Sequence, residues 1–172
     1  MVITMKSLLL ILTLLSLLTA CGSKEEFGNT VIDNTPGLTA EEKSVLKIAN
    51  YVKNNQGEAP PLSLFTDAGL IDVDAINKES ILKLLTQSDF DTVNSKTEVQ
   101  AIINKYNQAI AKVKAFGRDS GETPTADDYK DIGVTEDITT KIETLNIKIK
   151  NLSAPKLEEI SLIKILEILE SI

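Results

Sequence analysis

Apolar residues recur at helical spacing along most of this chain, and the alternation typical of a half-buried strand does not recur. One apolar face comprises Val45, Ile48, Ala49 and Val52. The longest stripe comprises Val99, Ile102, Ile103, Tyr106, Ala109 or Ile110, Val113 and Phe116. Between residues 137 and 152 the apolar positions alternate steps of four and three, a heptad-like seam suited to a helix bundle. These spacings predict an all-α domain.

Two capping boxes indicate where two of these helices begin. Thr39 is followed three residues later by Glu42, and Ser95 by Glu98. In such a box the hydroxyl accepts a hydrogen bond from the third backbone amide, and the carboxylate reaches back to the amide of the capping residue. We therefore expect one helix to start after Thr39 and a second, longer helix after Ser95.

The chain ends on a strongly apolar stretch that predicts one helix from Pro155 to Ile172. Proline suits the first turn of a helix, and apolar residues then occupy most of the circumference instead of one stripe. Two interpretations stay open. The favoured one is a central bundle helix that is buried nearly all round. The other is a partner-binding or self-associating helix at the end of the chain.

An internal repeat of 64 to 65 residues organises the domain. The matching segments are 47–51 with 112–116, 57–60 with 121–124, and 65–70 with 129–134. Each copy predicts a long, a short and a medium helix.

The short helix of each copy has its own signals. It should begin near Pro60 or Pro124, be anchored by Phe65 or Tyr129, and end at Gly69 or Gly133 in a left-handed conformation. Segments that begin with serine follow at Ser95 and Ser153, and residues 164–168 resemble a truncated third start. The predicted fold is a small helical bundle of about two related units, roughly residues 39–95 and 96–172.

This repeat resembles the tandem helical repeats of large secreted or surface-exposed proteins of Gram-negative bacteria. The resemblance covers roughly residues 46–138 and rests on Lys-Ile-x-x-Tyr, Gly-x-Ala-Pro and Ala-Gly-Val-like motifs. It implies a structural or adhesive module without a known active site. The chain departs from the family pattern where a second Gly-Val would follow, since residues 71–73 and 135–137 replace it.

The N-terminus carries the parts of a secretory signal, with Lys6 followed by an apolar run over residues 8–18. Residues 18–21, Leu-Thr-Ala-Cys, resemble the lipobox of bacterial lipoproteins. The resemblance implies cleavage between Ala20 and Cys21 and a diacylglyceryl group on Cys21, whose acyl chains would hold the protein to a membrane. An ordinary signal peptide followed by an accidental cysteine is the alternative. Gly22 instead of Asp after the cysteine favours the outer membrane, in either leaflet.

Residues 21–38 follow the proposed cleavage site and have the composition of a flexible tether. They contain Gly, Ser, Asn and Pro and lack a sustained apolar period. Phe27, Val31 and Ile32 are the apolar exceptions and could dock on the domain instead. The predicted organisation is therefore a signal peptide over residues 1–20, a lipidated tether over 21–38 and the helical domain over 39–172.

Charge and composition narrow the classes of function. The chain has 18 basic and 25 acidic side chains. Residues 1–20 contain one charged side chain, Lys6, so their loss leaves 17 basic and 25 acidic side chains and a formal charge of −8. An acidic chain without a basic cluster disfavours nucleic acid as a partner. The absence of histidine excludes Ser-His-Asp and Cys-His catalysis, and the only cysteine is the proposed lipidation site.

The remaining candidates for chemistry are carboxylates. Asp72 with Asp74, and Asp89 with Asp91, superficially suggest calcium loops, but the positions that need Gly and Glu hold Asn and Lys or Asn and Gln. Residues 127–128 are acidic in the first turn of a predicted helix, where they complement the helix dipole. We expect no metal and no cofactor.

The sequence thus favours a non-catalytic lipoprotein that serves as a structural, protein-interaction or adhesion module of the cell envelope. Its expected partners are the membrane, through the lipid on Cys21, and an envelope or extracellular protein. The alternative is a periplasmic accessory enzyme or a carrier that holds a small ligand in a cavity between helices.

Overall fold

A computed structural model describes residues 32–54, 58–88 and 93–172, and the regular structure in these ranges is helical. The first unit contains α1 (Ala40–Asn54), α2 (Leu62–Asp67) and α3 (Lys78–Gln87). The second contains α4 (Lys96–Gly117), α5 (Ala126–Ile132) and α6 (Ile142–Lys150), and the chain ends with α7 (Ala154–Glu158) and α8 (Leu162–Glu170). The prediction of an all-α bundle built from two long-short-medium units is confirmed. The signal peptide, the Ala20–Cys21 cleavage site and tether residues 21–31 lie outside the described residues.

The helix starts follow the capping signals. The Thr39 amide donates to the Glu42 carboxylate at 2.8 Å, and the Glu42 amide donates to the Thr39 hydroxyl at 3.1 Å. Ser95 accepts from the Glu98 amide at 3.3 Å, but the Glu98 carboxylate accepts from the Ser95 hydroxyl, at 2.7 Å, instead of from its amide. A second complete box joins Thr125 and Asp128 at the start of α5. The sequence pattern did not reveal it, because its third residue is Asp instead of Glu or Gln.

Both units end their short helix with the same hydrogen bonds. The Leu70 amide donates to the Phe65 carbonyl at 3.0 Å, and 64 residues later the Val134 amide donates to the Tyr129 carbonyl at 3.0 Å. This is the wide bond of a Schellman motif, which needs a residue with positive φ. Gly69 (φ +65°) and a second glycine 64 residues later (φ +107°) supply it. The predicted anchors and terminators of the short helices are therefore confirmed.

The packing of helices also repeats. Within each unit the long helix packs against the medium helix, α1 against α3 and α4 against α6. Each medium helix also packs against the helix that begins the next unit, α3 against α4 and α6 against α8. Helix α8 thus takes the place of a third long helix, shortened to nine residues. Its capping residue is Ser161, and Ser153, the serine predicted to begin the segment after the medium helix, is the capping residue of α7. One core of buried apolar side chains runs through both units.

The single terminal helix predicted from Pro155 to Ile172 is wrong, because the chain breaks between α7 and α8. Ser161 is extended (φ −154°, ψ 172°), and its hydroxyl caps the first turn of α8. At 100° per residue a continuous helix would point Leu157 and Leu162 about 140° apart. The break lets both side chains enter the core. The favoured interpretation of this stretch as buried core holds for its main apolar positions.

Part of the predicted tether packs on the domain. Ile32 is only 1 % exposed, and its neighbour Asp33 forms an ion pair with Lys47 in α1 at 2.6 Å. Lys43 donates to the Asp33 carbonyl at 2.6 Å. Ile32 therefore docks on the helical domain, which is the alternative that the sequence left open for the apolar residues of the tether.

Candidate functional site: two repeat-related grooves

Each unit forms a surface groove between the end of its long helix, the segment before its short helix, and its medium helix. The first groove has a volume of about 460 Å³ and the second about 580 Å³. Six lining positions of the first groove are Tyr51, Ala59, Glu79, Leu82, Lys83 and Thr86. Their counterparts 64 or 65 residues later also line the second groove, and they are Phe116, Thr123, Glu143, Asn146, Ile147 and Lys150. The repeat therefore builds the same concave surface twice.

The chain itself places an ammonium group in the second groove. The Lys150 ammonium lies 4.9 Å from the centre of the Phe116 ring, within the range of a cation–π contact. It also forms an ion pair with Asp119. In the first groove Tyr51 supplies the ring, but Thr86 stands where the lysine would be. Among the described residues, no lysine or arginine lies over the Tyr51 ring.

The floors of the two grooves differ in polarity. The Tyr129 hydroxyl donates to Asn146 Oδ1 at 2.6 Å, and Asn146 Nδ2 donates to the Pro124 carbonyl at 3.2 Å. Burial, with the nearby charge of Asp128, raises the pKa of the Tyr129 phenol far above its usual value. The phenol therefore stays neutral and acts as a hydrogen-bond donor. The apolar counterparts in the first unit are Phe65 and Leu82.

Two lysines at equivalent positions hold different acids. Lys112 contacts both carboxylate oxygens of Asp128, at 2.7 and 2.9 Å, while Lys47 binds Asp33. Partial burial opposes ionisation of Asp128, but hydrogen bonds from Lys112 and Thr125 hold its pKa below the usual value. In the first unit a proline precedes α2 where the second unit has the Thr125 cap. Lys47 therefore has no Asp128-like acid to hold and instead binds Asp33. Asp33 and Asp128 thus both stabilise the fold.

The acids considered for calcium act as turn residues where the structure describes them. Asp74 Oδ1 accepts from the amides of Ile76 and Asn77, at 2.8 and 2.9 Å. The Asp72 carbonyl accepts from Asn77 and Asn107. Residues 89 and 91 lie outside the described residues. Within the described ranges, no group of three or more His, Cys, Asp or Glu side chains is placed to hold a metal ion.

The sequence did not single out the groove residues Glu79, Thr86, Glu143 and Lys150. Their only signal is the repeat register, which aligns each first-groove residue with its second-groove counterpart. The predicted site residues Ala20 and Cys21 lie outside the described part of the chain. Among the helices that the structure describes, none is long and apolar enough to cross a membrane.

Comparison with protein-family models, with curated proteins and with solved structures finds no match to this chain.

Proposed function

We propose that this protein is a non-catalytic lipoprotein, held to the cell envelope through a lipid on Cys21, whose helical repeats bind a partner protein. The observation that carries the binding role is the groove built twice from equivalent positions. Repeat folds present such recurring surfaces to extended partners. The lipobox-like residues 18–21 carry the anchoring role, and Gly22 favours the outer membrane.

The use of the charged side chains supports this proposal. Asp33, Asp74 and Asp128 hold a lysine or cap a helix, and each is engaged by the fold. The Tyr129 phenol is committed to Asn146. These groups are arranged for stability instead of for contact with a substrate.

Anchoring is tested by growing cells with radiolabelled palmitate and separating membrane from soluble fractions. We expect label and membrane retention for the wild type and loss of both for Cys21→Ala. Ser23→Ala, two residues away, is the matched control and should behave as wild type. An unlabelled wild type, or a Cys21→Ala protein that still sediments with membranes, would contradict the anchor. Protease treatment of intact cells then distinguishes the leaflets, since only a surface-exposed domain is digested.

A carrier of small ligands is the second candidate, and the second groove favours it. Its volume of about 580 Å³ lies in the range of small-molecule sites. Phe116, Ile142 and Ile147 give it an apolar lining. Thermal-shift screening of the full chain in detergent decides between the two functions, because a ligand that binds only the folded state raises the melting temperature. Saturable stabilisation by an apolar small molecule, abolished by Ile147→Glu but not by Lys83→Glu, would favour the carrier.

A further inference from the structure

The two grooves are built alike, but among the described residues a cation lies over the aromatic ring of the second groove alone. Lys150 lies over Phe116 in the second groove and pairs with Asp119. This contact shows that the surface at the end of a long helix accommodates an ammonium group against its aromatic ring. A cation over a ring gains electrostatic attraction from the ring's negative face.

The first groove keeps the aromatic ring but neither the lysine nor the acid that pairs with it, since an asparagine stands in the first unit where the second unit has Asp119. Tyr51 provides the ring and Glu79, the counterpart of Glu143, provides a carboxylate. Thr86 is too short to reach the ring as Lys150 does, and its hydroxyl donates to the Lys83 carbonyl. Lys83 also lines this groove, is exposed, and forms no ion pair with the described residues. Within the described part of the chain, no cation lies over the Tyr51 ring as Lys150 lies over Phe116.

We propose that the first groove binds a lysine or arginine side chain of a partner protein, with its cation over Tyr51 and beside Glu79. Ala59 and Leu82 provide apolar surface for the methylene stem, which such side chains bury while the charged end stays near water. The formal charge of −8 that remains after loss of residues 1–20 attracts a basic partner. The inference names the partner chemistry of the proposed interaction function and rests on it.

The test measures binding of fluorescein-labelled hexalysine to the full chain in detergent by fluorescence polarisation at low salt. Tyr51→Leu removes the ring and keeps an apolar side chain, and Tyr51→Phe keeps the ring. A cation–π contact at an exposed site corresponds to a change in Kd of about 2- to 5-fold. We therefore expect Tyr51→Leu to weaken binding by this factor and Tyr51→Phe to bind as wild type. Hexalysine with acetylated amines should not bind.

A pair of repeat-swap variants makes the test specific. Thr86→Lys installs in the first groove the lysine that the second groove already has, so it should compete with the peptide and weaken binding about 10-fold. Gln108→Lys adds the same charge on an exposed face of α4 outside both grooves, and it should change Kd less than about twofold. The reciprocal variant Lys150→Thr exposes the Phe116 ring and should add a second binding site.

Several results would overturn the inference. Equal weakening by Thr86→Lys and Gln108→Lys would mean that hexalysine follows overall charge and not the groove. Unchanged binding to Tyr51→Leu, or no binding to the wild type, would exclude the ring contact. Each variant is first compared with the wild type by circular dichroism melting, and Tyr51→Phe supplies the folded reference if Tyr51→Leu does not fold. Binding in detergent does not depend on the lipid, so failure of palmitate labelling and failure of the groove are read separately.

Discussion

Replacing Tyr129 with Phe removes one hydroxyl from the core of the second unit and leaves a buried amide oxygen without its donor. The hydroxyl lies 2.6 Å from Asn146 Oδ1, and Asn146 is only 8 % exposed. Water therefore cannot readily replace the lost partner. The equivalent pair in the first unit, Phe65 and Leu82, has no polar side-chain atom at all. The chain thus contains both the polar and the apolar version of this contact.

The expected cost follows from this geometry. A buried acceptor that loses its donor costs about 1–3 kcal/mol, and we expect Tyr129→Phe to lower the free energy of unfolding by about 2 kcal/mol. Replacing both partners by apolar groups is far less costly. The double variant Tyr129→Phe with Asn146→Leu copies the first unit and should recover to within about 1 kcal/mol of the wild type. What remains is the lost bond from Asn146 to the Pro124 carbonyl.

Tyr106→Phe is the matched control. The Tyr106 hydroxyl is buried between α3, α4 and α8, near Ser80 and the Leu162 backbone, but no described atom is placed to complete a hydrogen bond with it. Its removal should leave stability unchanged or slightly raise it.

Urea unfolding followed by circular dichroism at pH 7 gives the three free energies. For a domain of this size 2 kcal/mol corresponds to about 8 °C in melting temperature. The reasoning is refuted if Tyr129→Phe lies within about 0.5 kcal/mol of the wild type. It is equally refuted if Tyr106→Phe costs as much as Tyr129→Phe.

Three further predictions concern the whole domain. Burial raises the pKa of both Tyr106 and Tyr129. Their contribution to stability is therefore present below about pH 10 and is lost as the pH rises towards the folded-state pKa values. Urea midpoints measured between pH 8 and 11 should fall less steeply with pH when both residues are Phe. Gly133→Ala should cost at least about 1 kcal/mol, because φ is +107° and the new Cβ would lie 3.0 Å from the Leu84 side chain; Gly37→Ala, also at positive φ but with nothing within 4 Å, should cost less in the same melts. Deleting residues 155–172 removes several core side chains worth about 1.5–3 kcal/mol each and should abolish cooperative melting; retained helicity and cooperativity would instead make this stretch a partner surface.

The sequence by itself determined the features that depend on residues a few positions apart. The apolar stripe of α4, the Thr39 capping box and the glycine that ends each short helix all follow from interactions within about one or two turns. The repeat added the identity of the two anchors, Phe65 and Tyr129, because equivalent positions fill equivalent places. The same local logic predicted acids in the first turn of α5, where two are found. For the proposed lipid anchor, the only sequence information is in the residues around Cys21.

Only the tertiary structure decided how distant side chains meet. Lys150 reaches a ring 34 positions earlier, and the donor of Asn146 lies 17 residues away, because α4, α5 and α6 pack together. The break before Ser161 likewise depends on the shape of the core. Apolar residues around the whole circumference of one straight helix cannot all face the core, so the chain changes direction between α7 and α8. Hydrophobic periodicity states which face of a helix is buried but not which neighbour covers it. The grooves, which lie between helices, were therefore beyond the reach of periodicity alone.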